Sequence, residues 1–187
     1  MSPPSLVYSL NRLAANGHDT AMEIMTFFQW LEGTPGSVFI RESLLFYPLV
    51  ETTHVLALGL FLGMIAMLDL RLVGVGLREV PVSEVAGRML PLALFGFVLM
   101  AISGLLLFYS GPVKAANNIF FRIKMILILL TGVNALLFHF TIYRRVAAWD
   151  DAPSPPARAR LAGVLSLILW CGVVICGRMQ AYNWFQK

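Results

Sequence analysis

Charge is what this sequence has least of. It carries 14 basic and 10 acidic residues among 187, so 13% of it is charged and 58% is hydrophobic. A soluble domain carries roughly 25% charged residues, and so few cannot clothe a water-facing surface around a core of this size. A mean hydropathy of +0.77 points the same way. Cysteine is scarce too: Cys171 and Cys176 are the only two. They sit five residues apart in an apolar run, on different faces of a helix, which argues against a disulfide or a paired metal site. They read as small apolar residues. Also missing are a basic run interleaved with aromatics, which excludes nucleic acid as a partner, a phosphate loop, and the nucleophile–base–orienter set of a hydrolase. The first 36 residues have early prolines and a lone Arg12, with no apolar stretch long enough for a signal peptide. Insertion is therefore expected to rely on the first span itself.

What is abundant is apolar runs of 18 residues or more, the length that crosses a hydrocarbon layer of about 30 Å. There are four, at about Ser43–Leu68, Met89–Tyr109, Phe120–Tyr143 and Leu161–Tyr182. Short loops join them, so the expectation is an all-α membrane protein, a four-helix up-down bundle. The segment His18–Glu32 differs. Its Met22, Ile24, Met25, Phe27, Phe28 and Leu31 recur at helical spacing with acids between, and it is too short to span. It suits an amphipathic helix in the interface with Trp30 at headgroup level, or one packed over the end of the bundle. The division read here is an N-terminal segment, 1–42, followed by a transmembrane domain, 43–187.

Basic residues in short loops orient such a chain. Arg71, Arg78 and Arg88 follow the first span, and Arg144, Arg145, Arg158 and Arg160 follow the third. The other side has Arg12, Arg41, Lys114 and Lys187, leaving aside Arg122, Lys124 and Arg178, which lie near or inside spans. This places both termini outside, as on the periplasmic side of a bacterial inner membrane, with the Arg-bearing loops in the cytoplasm.

Charged groups inside spans are costly and are functional candidates by default. Those present are Glu51, His54, Lys124, His139 and Arg178. By helical rise, Glu51 and His54 lie about 12 and 16 Å from the outer boundary, and Lys124 and Arg178 about 6 Å. Side-chain reach puts these four within one site. His139 lies near the opposite end, beside Tyr143 and Arg144. Glu51 and His54 are three apart and share a helix face. Arg178, Tyr182 and Cys171 form one stripe, and Gly96, Met100, Ser103 and Gly104 form a narrow, mostly small one that admits a helix or a flat ligand.

One buried imidazole before a glycine-lined wall, with cations at the rim, is the donor set of a b-type haem. His54 would ligate iron, Ser103 and Gly104 would admit the macrocycle, and Lys124 and Arg178 would hold the propionates, with Tyr182 also counted among the cofactor-binding residues. Copper or another metal at His54, steadied by Glu51, is a related reading. The alternatives are an ion or proton path, or a non-catalytic subunit or scaffold in which Glu51 pairs with Lys124 or Arg178 to fix helix register. Partners expected are the lipid bilayer, a redox protein and a second copy of the chain.

One string of residues carries a resemblance: Tyr47-Pro48, Glu51-x-x-His54, Asp69-Leu70-Arg71 with Gly74, Ser103-Gly104-Leu105, Asn118-x-Phe120 with Lys124, Asn134, Ser166 with Trp170, and Gly177-Arg178 with Tyr182. Together they resemble a bacterial family of uncharacterised four-helix membrane proteins, across about Trp30–Tyr182. In outline the chain is also similar to membrane cytochrome b subunits and copper-resistance D-type proteins. That likeness implies haem or copper. The usual second axial histidine is missing at matching depth, which leaves a five-coordinate iron, a ligand such as Met100 or Met125, or no haem at all.

Overall fold

The computed structural model describes residues 19, 20, 22–150 and 154–182. Arg12, His18 and Lys187 lie outside these. All regular structure among the described residues is helical. Helix α1 covers 22–32 and α2 Pro35–Glu42. The long α3, Phe46–Val73, and α4, Val82–Ser110, follow, then the short α5, Pro112–Asn117. Helix α6, Ile119–Leu137, runs on through a π-turn and a 3₁₀ segment to Ala148, and α7 is Ala157–Met179. Four of these stretches are long and apolar enough to cross a membrane: Phe46–Val73, Val82–Ser110, Ile119–Ala148 and Ala157–Met179.

The spanning helices pack as a row. Helix α4 lies on α3, α3 on α7, and α7 on α6. Among the described residues α4 and α6 do not pack along their lengths; their side chains meet near the ends. At the end that carries α1 and α2, Phe108 stacks on Phe121 with ring centroids 5.6 Å apart. At the other end Leu68, Leu72, Val82, Val85, Ala86 and Ala159 form a closed core, covered by Phe138, Ile142, Val146 and Trp149 from the α6 extension. In membranes small residues let helices approach, and they do so here. A Cβ on Gly96 would lie 3.0 Å from the Phe61 backbone, and one on Gly163 only 2.9 Å from the Asp69 carbonyl.

Each boundary has a local cause. Helix α3 runs to Val73 and stops at Gly74, whose φ of 85° is the left-handed C-terminal cap that glycine adopts most readily. Helix α4 begins at Val82, well ahead of Met89, because Val82, Val85 and Ala86 face the core one turn apart. Its N-terminus is capped by Asp150, whose carboxylate accepts the Ser83 backbone N–H at 2.9 Å and the Ser83 hydroxyl. Asn118 caps α6, its Oδ1 accepting from Phe120 and Phe121 at 2.9 and 3.3 Å.

Helices α1 and α2 clip onto the turn between α4 and α5. Glu32 accepts the Val113 N–H at 3.2 Å, Ser37 donates to the Tyr109 carbonyl at 2.8 Å, and Phe28 meets Phe108 edge-on. The outer side of α1 leaves Met22, Phe27 and Trp30 exposed.

Candidate functional site

His54 sits on the face of α3 that packs against α4. Its Nδ1 is 3.0 Å from the Met100 carbonyl and 3.1 Å from the Ser103 hydroxyl. A carbonyl only accepts, so Nδ1 must carry the hydrogen, and the neutral ring then bears its lone pair on Nε2. Ser103 is free to accept from the ring because its own O–H donates to Leu99 at 2.6 Å. The ring edge rests on Gly104, where a Cβ would come within 3.0 Å of Cε1. A backbone carbonyl on one imidazole nitrogen, with the other left as a donor, is the arrangement found around metal-bound histidines. Among the described residues nothing hydrogen-bonds to Nε2.

Lys124 on α6 is close enough to this ring to interact with it electrostatically. Its Nζ donates to Gln180 Oε1 at 3.2 Å and lies over the Phe121 ring at 5.1 Å. Gln180 in turn accepts from Asn118 through its backbone carbonyl at 3.3 Å. Two turns inward from His54, Phe61 packs edge-on against Trp170 at 4.8 Å and beside Phe97 at 5.5 Å. His54 therefore lies between an aromatic layer at mid-helix and a polar layer of Lys124, Gln180 and Asn118.

Of the residues singled out in the sequence, the structure brings His54, Ser103 and Gly104 into contact, with Lys124 near by. It does not bring Glu51, Arg178 or Tyr182 to them. Glu51 points away from the α3–α4 contact and is exposed, and Arg178 is exposed on α7, donating to Tyr182 at 3.3 Å and lying against its ring. The ion pairs among the described residues are Glu32–Arg41 and Glu84–Arg88. Glu51, Lys124 and Arg178 are not paired with one another. The stripe Cys171–Arg178–Tyr182 does share a face, but the buried stripe of α7 is Leu169, Val173 and Cys176. His139 lies in the π-turn, its ring 5.7 Å from that of Tyr143.

A second polar group lies at the opposite end, and only the Asp69-Leu70-Arg71 string signalled it. Asp69 and Arg71 are 5% and 2% exposed. Asp69 faces Ser166 of α7, and Arg71 Nε donates to the Val80 carbonyl at 2.6 Å. Asp69 Oδ2 and Arg71 Nη1 have no hydrogen-bond partner among the described residues. Their positions are two apart, so the side chains diverge and do not neutralise each other directly.

No group of three His, Cys, Asp or Glu side chains converges on a point among the described residues. The donor set at His54 thus suits a group that brings its own ligands rather than a bare ion held wholly by protein. The small residues of α4 are already filled: Gly96 by α3 backbone and Gly104 by the imidazole.

The fold and this site define a multi-pass helical membrane protein built around one inward-facing imidazole. The chain belongs to the family of unknown function DUF6644, whose model matches residues 27–183. No curated protein and no solved structure matches it. Its outline similarity to membrane cytochromes b and copper-resistance D-type proteins is therefore not supported by any match.

Proposed function

We propose that this protein is a redox membrane protein of the bacterial inner membrane that binds one b-type haem through His54. The observation that carries the reading is the Nδ1 contact to the Met100 carbonyl, which fixes the tautomer and leaves Nε2 as the ligating nitrogen. His54 would hold the iron, and Lys124 with Gln180 would meet the propionates. Bound there, haem supplies one-electron chemistry to a partner protein. Among the described residues no second histidine lies beside His54, so any further protein ligand would have to be the sulfur of a methionine such as Met100 or Met125. Copper is a weaker fit, because a lone imidazole leaves most of its coordination shell unfilled.

Lys124 rather than Arg178 carries the rim charge in this reading. Lys124→Ala should release haem during purification, and Arg178→Ala and His139→Ala should retain it, by haem-to-protein ratio. Equal retention in all three would contradict the assignment of Lys124.

A second reading rests on a specific observation: α3 itself fills the small-residue wall of α4. In it His54 is an interhelical hydrogen bond that sets the register of α3 on α4, and the chain is a non-catalytic subunit. Iron-free, colourless protein whose stability falls in His54→Ala supports this second reading.

A further inference from the structure

At the end that carries α1 and α2, helices α4 and α6 meet through aromatic rings. The Phe108 and Phe121 rings lie 5.6 Å apart and within 12° of parallel. Phe28 of α1 stands against Phe108 at 84°, also with 5.6 Å between ring centroids. All three rings are half-buried, whereas Phe27, next to Phe28 on α1, is exposed.

What lies behind these rings is polar. By helical rise, Phe108 and Phe121 sit about 3 Å inside the ends of their helices, Lys124 about 8 Å and His54 about 12 Å. Lys124 Nζ is 5.1 Å from the centre of the Phe121 ring and donates to Gln180. Cys176, buried on α7 one turn before Gln180, is close enough to Lys124 to interact with it. An ammonium group and an imidazole inside a bundle both gain from water, and side chains stand between them and this end of the molecule.

The rings are held in place from α1 and α2, which bind the last turn of α4. Ser37 donates to the Tyr109 carbonyl at 2.8 Å, Arg41 to the Ser110 carbonyl at 3.4 Å, and the Thr34 and Tyr109 hydroxyls are 2.6 Å apart. Glu32 fastens the same pair of helices to α5 by accepting the Val113 N–H at 3.2 Å and pairs with Arg41 at 3.5 Å. Contacts of this polar, partly exposed kind open at less cost than the closed apolar core at the opposite end.

We propose that Phe28, Phe108 and Phe121 form a gate, latched by α1 and α2, that controls entry of water and small polar solutes to Lys124 and His54. Opening needs no movement of a spanning helix, because the α4 and α6 backbones do not touch here and rotation of the rings is enough. Release of the latch withdraws Phe28, and the unsupported Phe108 ring then turns off Phe121. The gate holds whatever His54 binds.

Cys176 reports the opening. With Cys171 replaced by alanine it is the only thiol in the chain, and a charged, membrane-impermeant thiosulfonate reaches it only through water. The full chain is made without haem supply, so that a bound haem cannot shield the thiol, and labelling is followed by mass. On this background labelling should be slow. Phe108→Ala should speed it by about tenfold or more, as expected when a local opening becomes the resting state. Glu32→Ala keeps all three rings and removes only the bonds to Val113 and Arg41, and it should speed labelling too. Phe39→Ala removes a ring that lies on Phe46 instead and should label at the background rate. Circular dichroism confirms that each variant keeps its helices. A background that labels as fast as Phe108→Ala, an unchanged rate in either folded gate variant, or equal acceleration by Phe39→Ala overturns the proposal.

Discussion

At the residue scale, burial and hydrogen-bond direction separate side chains that depth alone groups together. Glu51 and His54 are three apart, yet the ring turns towards Met100 while the carboxylate is exposed. Helical spacing fixes angles between side chains on one helix but not which angle faces a neighbour. That is why depth grouped Glu51, His54, Lys124 and Arg178 into one site, whereas the structure sets His54 against Met100 and Ser103 and leaves Glu51 and Arg178 exposed. The contact between Gly104 and the imidazole leads to a prediction. Gly104→Ala puts a methyl 3.0 Å from Cε1, so the ring must shift by a few tenths of an ångström against its bond to the Met100 carbonyl. Overpacking of this kind costs about 1–3 kcal/mol. The melting temperature should fall, and haem retention should fall with it. Unchanged values on both counts would show that the ring is not held there.

At the element scale, the ends of helices held what hydropathy could not reveal. The spans themselves were legible because apolar runs of that length have few other uses. The first turn of α4 was not, because Arg88 and Gly87 interrupt the run while Val82, Val85 and Ala86 carry the buried face. Its cap comes from Asp150, 67 positions away in sequence, and no local signal announces a cap supplied from another loop. Partial burial works against ionisation of Asp150. The Ser83 hydroxyl and backbone N–H, the Val82 N–H and the nearby Arg71 guanidinium outweigh it, holding the carboxyl below the usual carboxylate range. A depressed folded-state value means the stabilisation is present above the unfolded value of about 4 and is lost as pH falls below it. Asp150→Asn should therefore lower stability at neutral pH and flatten its dependence on pH below about 4. Thermal unfolding across that range checks this, and a variant with the wild-type acid limb would contradict it.

The contact between α3 and α7 sets a second test at this scale. A methyl at Gly163 would stand 2.9 Å from the Asp69 carbonyl and 3.1 Å from Leu72 Cβ. Backbone cannot yield as a side-chain tip does, so Gly163→Ala should destabilise the fold by about 1–3 kcal/mol. Gly132→Ala, with open space around it, should be nearly neutral. Equal stabilities of the two variants would mean that α3 and α7 are not packed so closely.

At the scale of the whole molecule, four candidate spans joined by short loops return the chain to the side it started from, and the proposal that this side is the outer one rests on the arginines of the two opposite loops. Single cysteines at exposed Asn117 and Glu79, on a background with Cys171 and Cys176 replaced by alanine, report this directly. An impermeant thiol reagent added to intact cells should label Asn117→Cys and spare Glu79→Cys. The reverse pattern would invert the topology.

His54 is proposed as the residue through which the protein holds a haem. The most direct test is the visible absorption spectrum of the protein purified from haem-replete cells, beside that of His54→Ala. A Soret band is expected in the wild type and none in the variant, which should still insert and keep its helical content. A colourless, iron-free wild type, or a Soret band of equal strength in His54→Ala, would contradict the assignment.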